Sequence, residues 1–283
     1  MAVAIVSDTC HYLPRELVAE HDIKLVSLYV HRDGLAQRES EISDYTGYYR
    51  QLRDLSGLPT TSQPSVGDFL AVYEPLVDAG HEIVSIHLAG GMSGTVAAAQ
   101  QARQALGERG ARVQVIDSES ACGGEGLIVL AASAAAHNGG NGAAVADHAR
   151  AARAQLRMWF AIDTLEYLRR GGRIAGAQAW LGSALKIKPI LTVESEITPI
   201  ERVRTSKRAF ERMVELLQAL SDDSRDAWMV QHIQAPEEAE ELVARGIEIF
   251  GFGPTAVSEI GPVIGTHVGP GLLGAGGLPK SFV

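Results

Sequence analysis

The chain has 283 residues, 46% of them hydrophobic, which suffices for one large domain or two ordinary domains with an extensive core. Its formal net charge of -9, without any block of lysines or arginines, argues against binding to nucleic acid or to an anionic membrane surface. The longest uncharged apolar run, residues 126–136, is too short to span a bilayer, and the N-terminus lacks the basic flank of a signal peptide. We therefore expect a cytoplasmic protein without stable membrane insertion.

The cysteines and histidines offer no metal or disulfide pattern. Cys10 and Cys122 are too few for a disulfide framework and lack the paired spacing of a zinc site. The nine histidines are scattered along the chain. We expect buried thiols, no metal and no cofactor.

In the first half of the chain, short runs rich in Val and Ile alternate with amphipathic runs. This order predicts an α/β fold with a mostly parallel sheet and helices on both faces, in which a ligand sits at the carboxyl ends of the strands. The predicted strands are residues 2–6, 23–30, 82–88 and 112–117, and the predicted helices are 43–55, 66–79, 94–108, 124–137 and 143–156.

The order of strand-like and helical runs changes in the second half of the chain, and the new order predicts an α+β domain. We place the boundary near residue 157, which gives an N-terminal domain of residues 1–157 and a C-terminal domain of residues 158–283. A hairpin is expected to turn at 194–196. The other predicted elements are a strand at 158–163, two short helices within 164–186 broken at Gly171 and Gly172, hairpin strands at 187–193 and 197–205, a helix at 206–220, a strand at 227–233, a helix at 236–245 and a strand pair at 247–250 and 256–260.

The stretch "TTSQPS" at 60–65 gathers small hydroxyl groups before a helix. Pro64 disfavours helical geometry at the residue before it, and Ser65 with Asp68 forms a capping-box pattern. The stretch is therefore predicted to be a loop leading into the helix. The hydroxyls either face solvent beside a capped helix or bind a ligand.

A second stretch, "HLAGGMSGTVAAAQQA" at 87–102, has a glycine pair for a tight turn and places Ser93 at the predicted N-cap of an Ala-rich helix. The N–H groups of a helix start suit an anion, although capping alone would also select serine. The run lacks the last glycine of the G-x-S-x-G elbow, the chain has no P-loop motif, and the dinucleotide fingerprint is missing from the first predicted strand-to-helix turn.

The third stretch, residues 259–277, is denser in glycine than a helix or strand ordinarily tolerates. We expect its backbone to form turns or to approach another group closely. Besides Glu259, its polar side chains are those of Thr266 and His267. The histidine is either a hydrogen-bonded structural residue or part of a site.

Five motifs follow one another along the chain: "TSQPS" at 61–65, "MSGT" at 92–95, "LEYLRRGGRI" at 165–174, "LKIKPIL" at 185–191 and "IGPVIGTHVGPG" at 260–271. In this order and at these separations, they resemble the bacterial DegV family of fatty-acid-binding proteins. The resemblance implies a two-domain carrier that holds one long-chain fatty acid in a tunnel between the domains. It also implies a fatty acid kinase partner, which makes an acyl-phosphate for phospholipid synthesis.

By matching motif positions, the resemblance assigns the fatty-acid carboxylate to Thr61, Ser93 and His267. Further head-group contacts would come from Ser62, Gly94, Thr266 and Arg173. Neutral hydroxyls, an imidazole and helix N–H groups can orient a carboxylate taken out of water without burying a competing permanent charge.

Arginines and lysines in the second half leave alternatives open. Arg173 either lies near the head group or caps the end of the helix at 164–171. A group of cations flanks the predicted hairpin and forms either a docking face for an acidic kinase or a solvated strand surface. The cations are Lys186, Lys188, Arg202 and Arg204.

Three hypotheses remain from the sequence. The first is a non-enzymatic carrier that serves a kinase. The second is a lipid-modifying hydrolase or transferase that uses Ser93 and His267, although a serine that caps a helix spends its hydroxyl on the backbone. The third is a stand-alone lipid sensor or chaperone.

Overall fold

The architecture was obtained as a computed structural model, which describes residues 2–54, 59–180 and 187–283. It contains three sheets, of four, six and three strands. The strands are β1 Val3–Asp8, β2 Lys24–Val26, β3 Tyr29–Arg32, β4 Leu35–Arg38, β5 Thr60–Ser62, β6 Glu82–His87, β7 Val113–Asp117, β8 Arg157–Ala161, β9 Lys188–Glu194, β10 Glu196–Val203, β11 Ala227–Ile233, β12 Ala256–Glu259 and β13 Leu272–Leu278. The α-helices are α1 Arg15–Glu20, α2 Tyr45–Asp54, α3 Val66–Asp78, α4 Thr95–Ala105, α5 Gly123–His137, α6 Gly142–Gln155, α7 Glu166–Arg170, α8 Ser206–Asp222, α9 Pro236–Phe250 and α10 Pro262–Val268.

The four-stranded sheet is parallel throughout, in the order β2-β1-β6-β7, and helices cover both of its faces. Adjacent residues of a strand point to opposite faces. Accordingly, Ile5 and Val84 pack with α5 and α6, whereas Val6 and Ile83 pack with α3 and α4. The predicted α/β architecture of the N-terminal half is confirmed.

The predicted strand at 23–30 is in fact two strands that belong to different sheets. β2 pairs with β1 in the parallel sheet, and β3 pairs with β4 and β5 in a three-stranded antiparallel sheet. The prediction of a loop at Thr60–Ser62 was therefore wrong, because these residues form the short strand β5, in which Thr61 lies opposite Val30. The capping box of Ser65 and Asp68 at the start of α3 is confirmed.

The six-stranded sheet has the order β10-β9-β8-β13-β11-β12 and is antiparallel except between β11 and β12. α8 and α9 pack on one face through residues such as Met213, Leu217 and Leu242. Met229 and Ala227 face the opposite side and join the core around α5, so α5 packs against both large sheets.

The glycine-rich stretch 259–277 contains a helix and a central strand, although its glycine content argued against both, and the expected close approach to another group is confirmed in the strand. α10 and β13 lie there, and β13 runs between β8 and β11. A Cβ on Gly276 would lie 2.3 Å from the Arg157 carbonyl oxygen, and one on Gly277 would lie 2.7 Å from the Ala227 carbonyl oxygen. Glycine is needed in this strand because neighbouring backbones approach it closely.

Three further expectations, on the strand at 247–250, the hairpin turn and the helices within 164–186, are corrected or confirmed by the structure. Residues 247–250 were predicted as a strand but continue α9, which ends at Phe250 and is followed by its C-cap Gly251 in the left-handed region (φ 79°). The hairpin turn at 194–196 is confirmed, with Ser195 at φ 66° between β9 and β10. α7 occupies part of the predicted helical region 164–186 and ends before Gly171, and residues 175–180 form a 3-10 helix. The remainder of that region, 181–186, lies outside the described residues.

No helix within the described ranges is both long enough and apolar enough to cross a membrane. The strands up to β7 belong to the four- and three-stranded sheets, and those from β8 at Arg157 onward belong to the six-stranded sheet. The domain division near residue 157 stays a prediction.

Candidate functional site

An apolar pocket lies between the parallel sheet and the six-stranded sheet. Leu88 and Met92 contribute from the chain that follows β6, and Ala121 and Cys122 from the chain that follows β7. The pocket has about 970 Å³ of empty space, including space open to solvent. It therefore lies where the carboxyl ends of two adjacent parallel strands meet the second sheet.

The wall is apolar along most of its length and draws on both halves of the chain. Such a surface offers an alkyl chain contacts without unpaired polar groups. Its large apolar residues are Leu28, Leu88, Met92, Met158, Trp159, Phe160, Leu168, Val193, Ile197, Met229, Ile260, Val263, Ile264, Val268 and Leu272.

A cluster of polar side chains also lines this pocket. Thr61 comes from β5, Ser93 from the turn before α4, Arg173 from the chain after α7 and His267 from α10. The Thr61 hydroxyl oxygen lies 2.7 Å from His267 Nε2, a hydrogen bond between residues 206 positions apart. All three residues that the resemblance assigns to the carboxylate thus line one pocket, and two of them are in contact. Their role as ligands of the carboxylate stays a prediction.

His267 is held as a neutral imidazole. Burial, and next the nearby Arg173 guanidinium, lower the pKa of His267 from 6.5 to about 4. Its Nδ1 atom is buried and has no hydrogen-bond partner among the residues that the structure describes. A Cβ on Gly171 would lie 2.3 Å from that Nδ1, so only glycine at position 171 leaves room for the ring.

Ser93 lies one residue before the N-cap of α4, which is Gly94 rather than the serine that the sequence predicts. The Ser93 hydroxyl oxygen accepts from the Thr95 N–H at 3.3 Å and lies 2.8 Å from the Thr95 hydroxyl oxygen. The preceding turn is fixed by Asp117, whose two carboxylate oxygens both accept from the Gly90 N–H at 3.1 Å. This turn therefore holds the Ser93 hydroxyl at the start of α4 and beside the pocket.

Arg173 combines features of both alternatives that its sequence position left open. Its Nη1 donates to the carbonyl oxygen of Gly171, the C-cap of α7, at 2.7 Å, and its Nε donates to the Met92 carbonyl oxygen at 3.4 Å. It also lines the apolar pocket together with Thr61 and His267. Arg173 is also a wall residue of two further surface depressions, one lined by Ser93 and Gly94 and the other by Thr61 and His267.

The remaining predicted head-group contacts occupy different positions. Ser62 lines the pocket, and its hydroxyl lies 2.8 Å from His31 Nε2. Gly94 lines one of the surface depressions, together with Ser93. The Thr266 hydroxyl is buried against the Tyr48 hydroxyl at 2.5 Å and the Pro262 carbonyl oxygen at 2.7 Å, and it does not line the apolar pocket.

The described docking cations lie at the end of the hairpin opposite its turn, where Val203 pairs with Lys188. Lys188 pairs with Asp163 at 2.5 Å, and Arg202 stacks over the Trp180 ring at 5.3 Å from its centroid. Arg204 is exposed, and Lys186 lies outside the described residues. Docking of a kinase on this face stays a prediction.

Gln231 is a pocket residue that the sequence reasoning missed. Its Oε1 accepts from the Gly123 N–H at 2.5 Å, and its Nε2 donates to the Ser258 hydroxyl at 2.9 Å. These bonds tie β11 to the start of α5 and to β12, and they satisfy the buried amide. A glutamine inside the apolar strand "AWMVQHI" was the signal that could have revealed it.

The described part of the chain contains no preformed metal-binding site. No group of three or more His, Cys, Asp or Glu side chains is arranged there to hold an ion. Both cysteines are free, and burial raises the pKa of the Cys10 and Cys122 thiols well above its usual range. Neither thiol is activated as a nucleophile.

Fold and pocket together define an α/β protein with an apolar cavity between two sheets and a polar cluster in the cavity wall. A model of the DegV family, described as uncharacterised proteins, matches residues 2–280. Protein DegV of Bacillus subtilis is 35% identical over 280 residues, which cover 97% of this chain and 98% of that protein. A DegV domain-containing protein of Streptomyces coelicolor is 38% identical over 276 residues, 96% of each. This chain belongs to the DegV family.

Solved structures show the same fold. A fatty-acid-binding DegV family protein from Thermus thermophilus superposes with a TM-score of 0.88 at 32% identity and covers 99% of this chain and 100% of its own. DegV of Bacillus subtilis, described as a fatty acid binding protein, superposes with a TM-score of 0.86 at 34% identity, with the same coverage.

Proposed function

We propose that this protein binds one long-chain fatty acid, with the acyl chain in the apolar pocket and the carboxylate at Thr61, Ser93 and His267. The observation that carries the proposal is the pocket itself, which is apolar along most of its wall and has all three side chains among its lining residues. The fatty-acid binding of the relatives from Thermus thermophilus and Bacillus subtilis supports it.

The energetics separate the two parts of the ligand. Burying about 15 methylenes at ~0.8 kcal/mol each gives roughly 12 kcal/mol of gross driving force, from which the costs of ordering and association are subtracted. The acyl chain thus supplies the affinity. The carboxylate needs donors, and the Thr61 and Ser93 hydroxyls and the His267 imidazole can supply them without a fixed ion pair.

The head group then remains available for transfer chemistry in a second protein. We propose that the chain presents the carboxylate to a separate fatty acid kinase, which forms the acyl-phosphate, and that it acts as a carrier in the cytoplasm rather than as an enzyme. Arg173, which lines both the pocket and two surface depressions, supports this proposal, because a carboxylate held at Thr61 and His267 would lie beside the depression that these two residues also line.

The arrangement of Ser93 and His267 disfavours a hydrolase. The Ser93 hydroxyl bonds to Thr95, and His267 Nε2 bonds to Thr61, so each group of the hypothetical nucleophile–base pair has another partner. A nucleophilic serine needs a base within hydrogen-bond reach that a third group orients. His267 Nδ1 has no orienting partner in the described part of the chain.

Native mass spectrometry of freshly purified protein tests the proposal. We expect a bound mass in the range of a long-chain fatty acid, and uptake of added palmitate by protein stripped of lipid. Ligand-free protein that also fails to take up palmitate would contradict it. Formation of acyl-phosphate from ATP only after a kinase is added supports the carrier role, whereas no reaction with any candidate kinase favours the sensor or chaperone.

A further inference from the structure

α10, the helix that carries His267, lacks an internal partner for the N–H groups at its start. It has only seven residues, and its N-cap is Gly261, which has no side chain to accept from the first N–H groups. Short helices are marginal without tertiary support, and the leading N–H groups have no partner inside the helix. Because Pro262 has no N–H, the first free donors are those of Val263 and Ile264.

Both donors are satisfied from the N-terminal part of the chain. The Val263 N–H donates to Glu39 Oε1 at 2.7 Å, and the Ile264 N–H donates to the Tyr12 hydroxyl at 3.2 Å. The Tyr12 hydroxyl in turn donates to the same Glu39 oxygen at 2.7 Å, and the Thr9 hydroxyl donates to the other oxygen at 2.5 Å. Glu39 thus links three segments that are remote in sequence.

A carboxyl group at this position is costly. Glu39 is only 2% exposed, and burial raises its pKa from 4.5 to about 7. Neither Glu39 nor Tyr12 lines the apolar pocket, so neither can contact a ligand there. Their hydrogen bonds are instead directed at the start of the helix on which His267 stands, five residues after Pro262.

We propose that Glu39, together with the Tyr12 hydroxyl, is a positioning residue of the head-group site: it fixes the start of α10 and so places His267 against Thr61. The ligand in this inference rests on the proposed function. The geometric part, from Glu39 through α10 to the Thr61–His267 bond, concerns the protein alone.

Three variants separate the contributions. Glu39→Ala removes both acceptor oxygens. Glu39→Gln keeps one oxygen for the Val263 N–H and is expected to restore most of the site. Tyr12→Phe keeps the ring and removes only the hydroxyl, which makes it the informative variant if Glu39→Ala does not fold.

Two control variants match these changes away from α10. Glu41→Ala removes an exposed carboxylate from the same helical turn as Glu39. Tyr73→Phe removes a buried tyrosine hydroxyl that donates to Ser85 in the core of the parallel sheet. We expect both controls to behave like the unaltered protein in the assays below.

The decisive readout compares palmitic acid with hexadecanol, which has the same chain length and no carboxylate. We expect Glu39→Ala and Tyr12→Phe to weaken palmitate binding on the order of 10-fold while hexadecanol affinity changes less than about 3-fold. NMR of the His267 imidazole in ligand-free protein should show changed ring signals in the same two variants, with Glu39→Gln close to the unaltered protein.

Unchanged His267 signals and unchanged palmitate affinity in folded Glu39→Ala and Tyr12→Phe would overturn the inference. Equal losses for palmitate and hexadecanol would also overturn it, because they would indicate damage to the whole pocket. If the unaltered protein binds no palmitate, the proposed function fails, and the His267 signals still decide whether Glu39 positions the ring.

Discussion

The Thr61 hydroxyl oxygen lies 2.7 Å from His267 Nε2, although the two residues are 206 positions apart in the chain. Thr61 stands on the short strand β5 and His267 on the short helix α10, and both line the apolar pocket. The hydrogen bond therefore joins two motifs that are separate in the sequence into one polar site.

Removal of the hydroxyls of Thr61 and Ser93 should weaken fatty-acid binding. A hydrogen bond to a charged group contributes about 1.5 to 3 kcal/mol, so each substitution to alanine should lower palmitate affinity by roughly 10- to 100-fold. Calorimetry on Thr61→Ala, Ser93→Ala and the double variant measures this. Thr60→Ala, which removes the exposed neighbouring hydroxyl, is the control. Unchanged affinity in the double variant would show that the two residues only support their local backbone.

The ionisation of His267 should respond to the ligand. In ligand-free protein its pKa is about 4, because burial and Arg173 disfavour the imidazolium. A bound carboxylate nearby stabilises the charged form, so the pKa should rise on addition of palmitate. NMR titration of the imidazole, assigned with His267→Gln, measures both values. An ordinary pKa near 6.5 in the free protein, or no rise with palmitate, would contradict the site.

The positive charge of Arg173 should contribute to the low pKa of His267. Arg173→Gln removes one of the two causes that lower the pKa of His267, so that pKa should rise but stay below 6.5, since burial is the larger cause. Arg169→Gln removes an exposed guanidinium that pairs with Glu166 and should leave His267 unchanged. An identical His267 titration in both variants would mean that the Arg173 charge does not reach the ring.

Gly171 should tolerate no side chain. A Cβ at this position would lie 2.3 Å from His267 Nδ1, and the backbone φ of -77° is ordinary, so Gly171→Ala acts by displacing the ring and not by straining the backbone. We expect shifted His267 signals and weaker palmitate binding. Gly253→Ala is a fair comparison because open space surrounds that position. Normal palmitate affinity in Gly171→Ala would be inconsistent with a ring held in this place.

Glu39 should make the stability of the fold depend on pH. Its carboxyl has a pKa of about 7 in the native state against 4.5 when unfolded, so between these values the native state binds more protons. The free energy of unfolding contributed by this group therefore falls as pH rises from 4.5 to 7, by roughly 3 kcal/mol in all. Denaturant unfolding at several pH values measures this. The free energy of unfolding of the unaltered protein should fall relative to that of Glu39→Gln as pH rises, and the control Glu41→Gln should show the same fall as the unaltered protein. Parallel pH profiles for the unaltered protein and Glu39→Gln would rule it out.

The sequence predicts the helices and strands correctly where the local residue pattern and the tertiary environment favour the same structure. The strands β1, β6 and β7 and their flanking helices follow from apolar runs, and the capping box of Ser65 and Asp68 marks the start of α3. The local pattern predicts the wrong structure where contacts with a neighbouring element determine the conformation. Residues 247–250 are rich in strand-forming residues, yet they stay helical, with Phe250 stacked on Trp228 at a centroid distance of 4.9 Å.

The candidate site could be predicted only in part, because its assembly also depends on tertiary contacts. Hydroxyls in two short motifs and a histidine in a glycine-rich stretch could be singled out, but their meeting depends on α10 and β13, which glycine content had argued against. Gly276 lies in β13 because the backbone of β8 comes too close for a side chain. Glu39 gave no signal in the sequence, since its role depends on hydrogen bonds to a helix more than two hundred residues away.

A crystal structure of the protein with bound palmitate tests the central claim most directly. We predict that the acyl chain fills the apolar pocket between the two large sheets, and that the carboxylate lies within hydrogen-bond distance of the Thr61 and Ser93 hydroxyls and the His267 ring. A carboxylate bound away from these three side chains, or an acyl chain outside the pocket, would contradict the account.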